Sequence, residues 1–359
     1  MHSIRKIIRR HTTAALVGAA LLLTLSACGG GGSSAPVAPP TPVPTVPAAS
    51  NYLAPVTSVA PANYAAKEDA SVVAGINPVR LGAGAGLVAQ SAALDSAARQ
   101  HASFLVSNQL VNNAAYLDGL HEGVLGGHYE DPALAGFTGK FAQSRATAAG
   151  YGGTVAELAL FGAANGAECV ASFENSVYHL GQMLSSFVDM GLSFNAGNGG
   201  GSACVIVLGV PSATSGQLPT DGGVAAYPYA GQTGVLPTFY NQGEAPTPVA
   251  DLAVAGHPVL VSLYTQAVPS LLASEVVIQS FALSTPDGKL VSTRVLVKPG
   301  VGGSGVTLTS DNNIVGAGTV FLVPTVPLVA NTLYRVNFAA TVKGRAVSRD
   351  WSFMTGAAN

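Results

Sequence analysis

Two histidines and several glutamates recur in one stretch of a chain that is otherwise poor in charge. Charged residues make up only 9% of the sequence, which has seven histidines in total. The stretch runs from His128 to His179 and contains Glu157 and Glu174. Imidazoles and carboxylates bind metals, transfer protons and pair with one another inside clefts. This stretch is therefore the best candidate for a functional site.

Two kinds of chemistry suit such a group. Neutral imidazoles with a carboxylate can bind a divalent metal such as zinc and leave one position open for water. The same groups can instead hold a cleft together through mutual hydrogen bonds, because buried polar groups need partners. The sequence contains no GxSxG, HExxH or P-loop motif. A serine nucleophile at Ser176 beside His179 is disfavoured, since helical neighbours three apart rarely combine nucleophile, base and oxyanion donors.

The order of these residues resembles the bacterial form of the CAP superfamily (cysteine-rich secretory proteins, antigen 5 and pathogenesis-related protein 1). That form has a His, an Arg before a Gly-Tyr pair, a Glu, and an aromatic residue ahead of Ser-x-x-His. The matching positions are His128, Arg145, Gly150, Tyr151, Glu157, Phe173, Ser176 and His179. The resemblance covers residues 66–211. It implies an α-β-α sandwich with a cleft lined by two His and two Glu, and some family members bind metals, sterols or other lipids.

The resemblance implies His128, Glu157 and His179 as three of the four cleft residues. Eukaryotic members carry the second Glu three residues after the aromatic residue, where this chain has Ser176. On a helix Ser176 would share a face with His179, whereas Glu174 need not. The expected ligand-binding residues are His128, Glu157, His179, Ser176 and Glu174. No cofactor is certain; if zinc or another divalent metal binds, its expected ligands are His128, His179 and Glu157.

The N-terminus predicts export and a membrane anchor. Residues 1–27 have a basic start followed by an apolar run that is too short to span a membrane, which is typical of a signal peptide. The run ends Leu-Ser-Ala-Cys28, which resembles the bacterial lipobox and implies acylation of Cys28. Gly29, in place of the Asp that commonly marks inner-membrane retention, favours the outer membrane. Residues 28–60, rich in Gly, Ser and Pro, predict a disordered tether.

The charge of the chain disfavours one class of ligand, and its cysteines predict a disulfide. Without the four basic residues of the leader, 12 basic residues remain against 18 acidic ones, which argues against nucleic-acid binding. With Cys28 assigned to the anchor, Cys169 and Cys204 are the remaining pair. In an oxidising compartment they are expected to form a disulfide.

At 359 residues the chain predicts two folded domains, α/β followed by all-β. Residues 61–211 are expected to form the CAP domain, with a helix through 86–108 on which His101 is packed, and a buried strand at 204–210. Residues 212–245 are expected to be a linker. Residues 246–356 show β alternation, as from Tyr334 to Val342, with turns at Asp287-Gly288 and Lys343-Gly344. The end of this region resembles the last strand of bacterial Ig-like domains, which implies a β-sandwich spacer.

Together these features predict a membrane-anchored surface or periplasmic CAP-domain protein. Its partners would be the membrane, through Cys28, and a small molecule, lipid or cell-envelope ligand bound in the His/Glu-lined cleft, without catalysis. The alternative is a metal-dependent hydrolase that uses the same cluster. A third interpretation gives the cluster a purely structural role.

Overall fold

The N-terminal half is built around one four-stranded sheet with helices on both faces. The computed structural model describes residues 51–357 except 200, 221 and 315, and only the backbone at 242. The helices are α1 (Lys67–Ala83), α2 (Ala92–Ser107), α3 (Ala114–Leu117), α4 (Ala142–Ala148), α5 (Gly166–Glu174) and α6 (Tyr178–Met183). The strands are β1 (Ala89–Gln90), β2 (Leu120–His121), β3 (Val124–Leu125), β4 (Gly153–Phe161), β5 (Asp189–Asn195) and β6 (Ala203–Pro211). The sheet has the order β1-β5-β6-β4, and β2 and β3 form a separate hairpin.

Strand β6 shows why this half has three layers. Val205 and Val207 pack into one core with α2, while Ile206 and Leu208 pack into another with α1, α5 and α6. A strand buried on both faces reads as a continuous apolar run, so the strand predicted at 204–210 is confirmed. On β5, a Cβ at Gly191 would lie 2.0 Å from the backbone of α2, which only glycine permits.

Cys169 on α5 and Cys204 on β6 form the predicted disulfide, with a sequence separation of 35 residues. Closing a loop of that length lowers the conformational entropy of the unfolded chain and so stabilises the folded state by about 3–4 kcal/mol.

Helix α2 begins after Ser91, whose side chain accepts a hydrogen bond from the amide of Leu94. The helix expected through 86–108 is therefore shorter than predicted at its N-terminal end.

The C-terminal half consists almost entirely of strands. They are β7 (Ala225–Tyr227), β8 (Thr238–Phe239), β9 (Ala255–Gly256), β10 (Val259–Ser262), β11 (Val276–Ser284), β12 (Thr293–Val297), β13 (Gly302–Gly303), β14 (Leu308–Ser310), β15 (Thr319–Pro324), β16 (Leu333–Val342) and β17 (Arg345–Met354). One sheet has the order β14-β12-β15-β10-β7 and the other β13-β11-β16-β17. Their facing side chains, such as Val261, Val320, Val336 and Phe338, form one core.

The local signals in this half match the structure. On β16 buried and less buried residues alternate from Leu333 to Val342, as predicted. Lys343 and Gly344 both have positive φ in the turn that pairs Val342 with Arg345, which is the geometry of a tight hairpin.

The two halves share a hydrophobic core. Leu260, Leu296 and Phe321, on the outer face of the five-stranded sheet, belong to the same apolar cluster as α1, α5 and α6. Within residues 212–245, β7 pairs with β10 and Tyr227 is buried. The described residues of both halves therefore lie in one compact unit.

The coarse class is α plus β: a few helices and many strands in several sheets. The predicted signal peptide, Cys28 and most of the tether lie outside the described residues. At the end of the tether, Leu53 forms a bridge with Gln217, and the Val56 amide donates to the Gln217 side chain. None of the helices within the described residues is long and apolar enough to cross a membrane.

Candidate functional site

A buried group of charged side chains lies beside β4, the edge strand of the four-stranded sheet. Glu157 on β4, Arg145 on α4, His101 on α2 and Glu130 are all nearly inaccessible to solvent. Nη2 of Arg145 donates to both carboxylate oxygens of Glu157 at 2.8 Å. Arg145 and Glu157 thus form a buried ion pair. Removing one member of such a pair leaves an uncompensated buried charge.

His101 connects the two carboxylates of this group. Its Nδ1 lies 3.1 Å from Oε1 of Glu130, and its Nε2 lies 2.9 Å from the carbonyl oxygen of Gly127 and 3.6 Å from Oε1 of Glu157. Both ring nitrogens face groups that only accept hydrogen bonds, so the ring links Glu130 to the Gly127 carbonyl and to Glu157. Arg145 and His101 each lie within 4 Å of both carboxylates.

The surroundings of both glutamates keep them ionised. Burial alone would raise the pKa of Glu157, but the Arg145 guanidinium, His101 and His128 lower it well below its usual range. Burial also opposes ionisation of Glu130, yet hydrogen bonds from His101 and from the Thr138 amide lower its pKa. Glu157 can therefore act as a fixed acceptor.

Glu157 holds the first of the two partly exposed imidazoles. Nδ1 of His128 lies 3.0 Å from Oε1 of Glu157, and the His128 side chain is 29% exposed. Because an ionised carboxylate only accepts, Nδ1 carries the proton in this hydrogen bond. The other ring nitrogen, Nε2, is left for a ligand.

Glu244 holds the second partly exposed imidazole in the same way. Nδ1 of His179 lies 3.0 Å from Oε1 of Glu244, and the His179 side chain is 21% exposed. The Glu244 carboxylate also accepts hydrogen bonds from the backbone amides of Val177, Tyr178 and His179. It thereby satisfies the N-terminal amides of α6 and fixes the helix that carries His179.

The two imidazoles line one cavity at the edge of β4. The cavity has a volume of 160 Å³. Besides His128 and His179, its wall is mostly apolar or small, with Asp118 as its other ionisable side chain. The wall residues are Leu117, Asp118, Leu125, Gly127, Ala159, Leu160, Phe161, Gly243 and Ala245. Two polar groups in an apolar wall can orient one polar group of a ligand.

Two of the expected ligand-binding residues lie elsewhere. The Glu174 carboxylate accepts a hydrogen bond from the Tyr227 hydroxyl at 2.7 Å, and burial raises its pKa. The Ser176 hydroxyl donates to the carbonyl of Phe173 and accepts from the amide of Leu180. The hydroxyl thus donates to one backbone group and accepts from another, on either side of the break between α5 and α6. Of the expected set, the cavity therefore brings together His128 and His179, with Glu157 behind His128.

Few side chains at this cavity are available to coordinate a metal ion. Both oxygens of Glu157 are hydrogen-bonded to Arg145, and one of them also to His128. Across residues 51–357, apart from the undescribed positions, no three His, Cys, Asp or Glu side chains are grouped to hold an ion. The imidazole Nε2 atoms alone do not make a zinc site of the usual kind, which has at least three protein ligands.

Sequence reasoning missed Glu244 and the role of His101. Glu244 lies 65 residues after His179, in the segment expected to be a linker. One signal was present: Glu244 is the only charged residue between Asp221 and Asp251. A lone carboxylate in a long uncharged segment that packs on the protein needs a buried partner.

No protein-family model matches the chain, and no curated protein matches its sequence.

Proposed function

We propose that the chain is a CAP-type binding protein whose cleft holds the polar group of a small molecule, lipid or cell-envelope ligand between His128 and His179. The observation that carries the proposal is the pairing of each imidazole with its own buried carboxylate at a single cavity. In the proposed fold, the N-terminal half is a CAP-type α-β-α sandwich and the C-terminal half is an Ig-like β-sandwich.

The geometry favours binding over catalysis. Each Nδ1 proton is held by a carboxylate, so each Nε2 can accept a hydrogen bond or, when protonated, donate one to an anionic group. The nearest candidate nucleophile from the sequence, Ser176, is hydrogen-bonded to the backbone of Phe173 and Leu180. The cavity of 160 Å³ is smaller than the roughly 300–1,000 Å³ of pockets for drug-sized ligands. It suits a headgroup or a chain end.

Export through the signal peptide and anchoring through acylated Cys28 would place this cleft at the cell envelope, with the outer membrane favoured. The acidic balance of the chain supports ligands other than nucleic acids.

The test is a binding screen on the purified full-length protein with lipids, glycans and small envelope metabolites. A ligand that binds the wild type should bind at least about tenfold more weakly to His128→Ala and His179→Ala, the loss of one oriented hydrogen bond to a charged group. His121→Ala is the matched control, because the His121 ring hydrogen-bonds the carbonyl oxygen of Tyr116 outside the cavity. A ligand whose affinity is equal in all four proteins would contradict the proposal.

A metal-dependent hydrolase is the second candidate. One observation favours it: metal-bound histidines commonly hydrogen-bond a carboxylate through their other ring nitrogen, as both histidines do here. Metal analysis of the same preparations separates the two candidates. Stoichiometric zinc together with hydrolysis of an ester or peptide panel, both lost in a His128→Ala/His179→Ala double variant, would favour the hydrolase.

A further inference from the structure

A second concave site lies on the other side of α6, between this helix and the five-stranded sheet. Two cavities of 360 and 220 Å³ have Gly181, Ser185, Tyr264, Gly316 and Thr319 in common. They therefore form one continuous depression, which we call the α6 groove. The cleft, which is the cavity lined by His128 and His179, has no lining residue in common with the α6 groove. The volume of the larger of the two cavities lies within the range typical of ligand pockets.

Several polar side chains in the α6 groove are free to bind a ligand. Gln182 comes from α6, and Ser262 and Thr319 are paired neighbours on β10 and β15. All three are half-buried, and none of them has a side-chain hydrogen-bond partner among the described residues. Polar groups in such positions bond to water or to a ligand.

Two tyrosine rings are held in fixed positions beside these groups. The Tyr264 hydroxyl accepts a hydrogen bond from the Gly318 amide at 3.0 Å. The Tyr178 hydroxyl donates to Asp311 at 2.7 Å and accepts from Asn313. A ring that is anchored through its hydroxyl loses little conformational entropy when a ligand packs against it.

The charge and the strand pairing of the α6 groove exclude several ligand classes. Lys298 is the sole charged residue among the described residues that line it. Phosphate-rich ligands and nucleic acids require clustered cations. Peptides that bind by strand addition require a free sheet edge. Here β10 lies between β15 and β7, and β15 between β12 and β10, so both edges of each strand are paired.

We propose that the α6 groove binds a short saccharide. A sugar ring presents hydroxyl groups around its rim and C–H groups on its faces. The rim matches the unpaired hydroxyl and amide groups of Gln182, Ser262 and Thr319. The faces match the apolar floor at Leu260 and Phe321 and the tyrosine rings. This site does not depend on the function proposed for the cleft.

The experiment is isothermal titration calorimetry on the purified full-length protein with three probes: the trisaccharides of N-acetylglucosamine, glucose and galacturonic acid. At least one should bind with a millimolar or lower Kd. The triple variant Gln182→Leu/Ser262→Ala/Thr319→Val removes the three free polar groups while nearly keeping side-chain volume. It should weaken that binding at least about tenfold.

Two controls test whether the binding is specific to the α6 groove. Thr309→Val/Ser310→Ala makes the same kinds of change on exposed residues of β14 and should leave the Kd unchanged. His128→Ala, in the cleft, should also leave it unchanged. If the triple variant does not fold by circular dichroism, Gln182→Leu alone replaces it, with an expected weakening of several-fold.

Four results would overturn the proposal. They are the absence of binding by every trisaccharide at millimolar concentration, equal affinity in the triple variant, equal loss in His128→Ala, and binding of an extended peptide in the α6 groove in place of any saccharide.

Discussion

The buried pair of Glu157 and Arg145 allows a quantitative test of the cluster behind His128. In Glu157→Gln the side chain keeps its shape but loses the charge that faces Arg145, whose side chain is fully buried. Arg145 would then keep the Glu130 carboxylate, whose Oε1 lies 3.8 Å from its Nε, and carbonyl acceptors such as those of His128 and Gly139. Breaking a buried ion pair by removing one of its two charges costs about 3–5 kcal/mol. That is a large part of the roughly 5–15 kcal/mol by which typical domains are stable.

The assay is urea unfolding of a double-mutant cycle. Glu157→Gln and Arg145→Met should each shift the midpoint strongly. The double variant should cost less than the sum, with a coupling of at least about 1–2 kcal/mol, because it leaves neither charge unpaired. Asp251→Asn, in the exposed ion pair with Arg294, is the matched control and should leave the midpoint unchanged within error. Additive costs, or single variants that behave like the control, would refute this charge balance.

Two further predictions concern His257 and Glu244. Burial lowers the pKa of His257 from 6.5 to about 3. Between pH 3 and pH 6.5 the imidazole therefore binds a proton in the unfolded chain but not in the folded one, so the free energy of unfolding falls as the pH drops below 6.5. At pH 5 the loss should be about 2 kcal/mol relative to neutral pH; urea midpoints of His257→Gln should show a correspondingly flatter pH dependence, and an unchanged slope would contradict this. Glu244→Ala removes the acceptor that holds α6 and His179, so it should destabilise the protein by about 1–2 kcal/mol. Glu244→Ala should also lower the affinity of ligands that bind in the cleft, as His179→Ala does, whereas Glu174→Ala should leave that affinity unchanged. Equal effects of the two glutamate variants on the affinity, measured by calorimetry, would contradict the role assigned to Glu244.

Elements that leave a local pattern in the sequence could be predicted from it. The apolar run of β6 and the alternation on β16 each follow from which faces of a strand are covered. The Lys343-Gly344 turn could be predicted because a two-residue hairpin needs positive φ at both positions. The disulfide followed from there being one remaining cysteine pair.

The assignment of the fourth cleft residue relied on local helical spacing, and the chain interrupts that helix. Helix α5 ends at Glu174 and α6 begins at Tyr178, so Ser176 lies in the break between them. Its hydroxyl bonds to the backbone on both sides of the break. The carboxylate that the cleft needs comes instead from Glu244, and a contact across 65 residues has no local periodicity to reveal it.

The position of α6 makes the C-terminal half part of the site. A helix of six residues is not stable by itself, so its surroundings must hold His179 in place. Glu244 binds its N-terminal amides, and a Cβ at Gly181 would lie only 3.3 Å from the Phe321 ring of β15. Both of these restraints come from residues beyond 211. The C-terminal half, which the sequence predicted as a linker (212–245) and a spacer domain (246–356), therefore positions the second imidazole of the cleft. The same contact with α6 creates the groove on its other side.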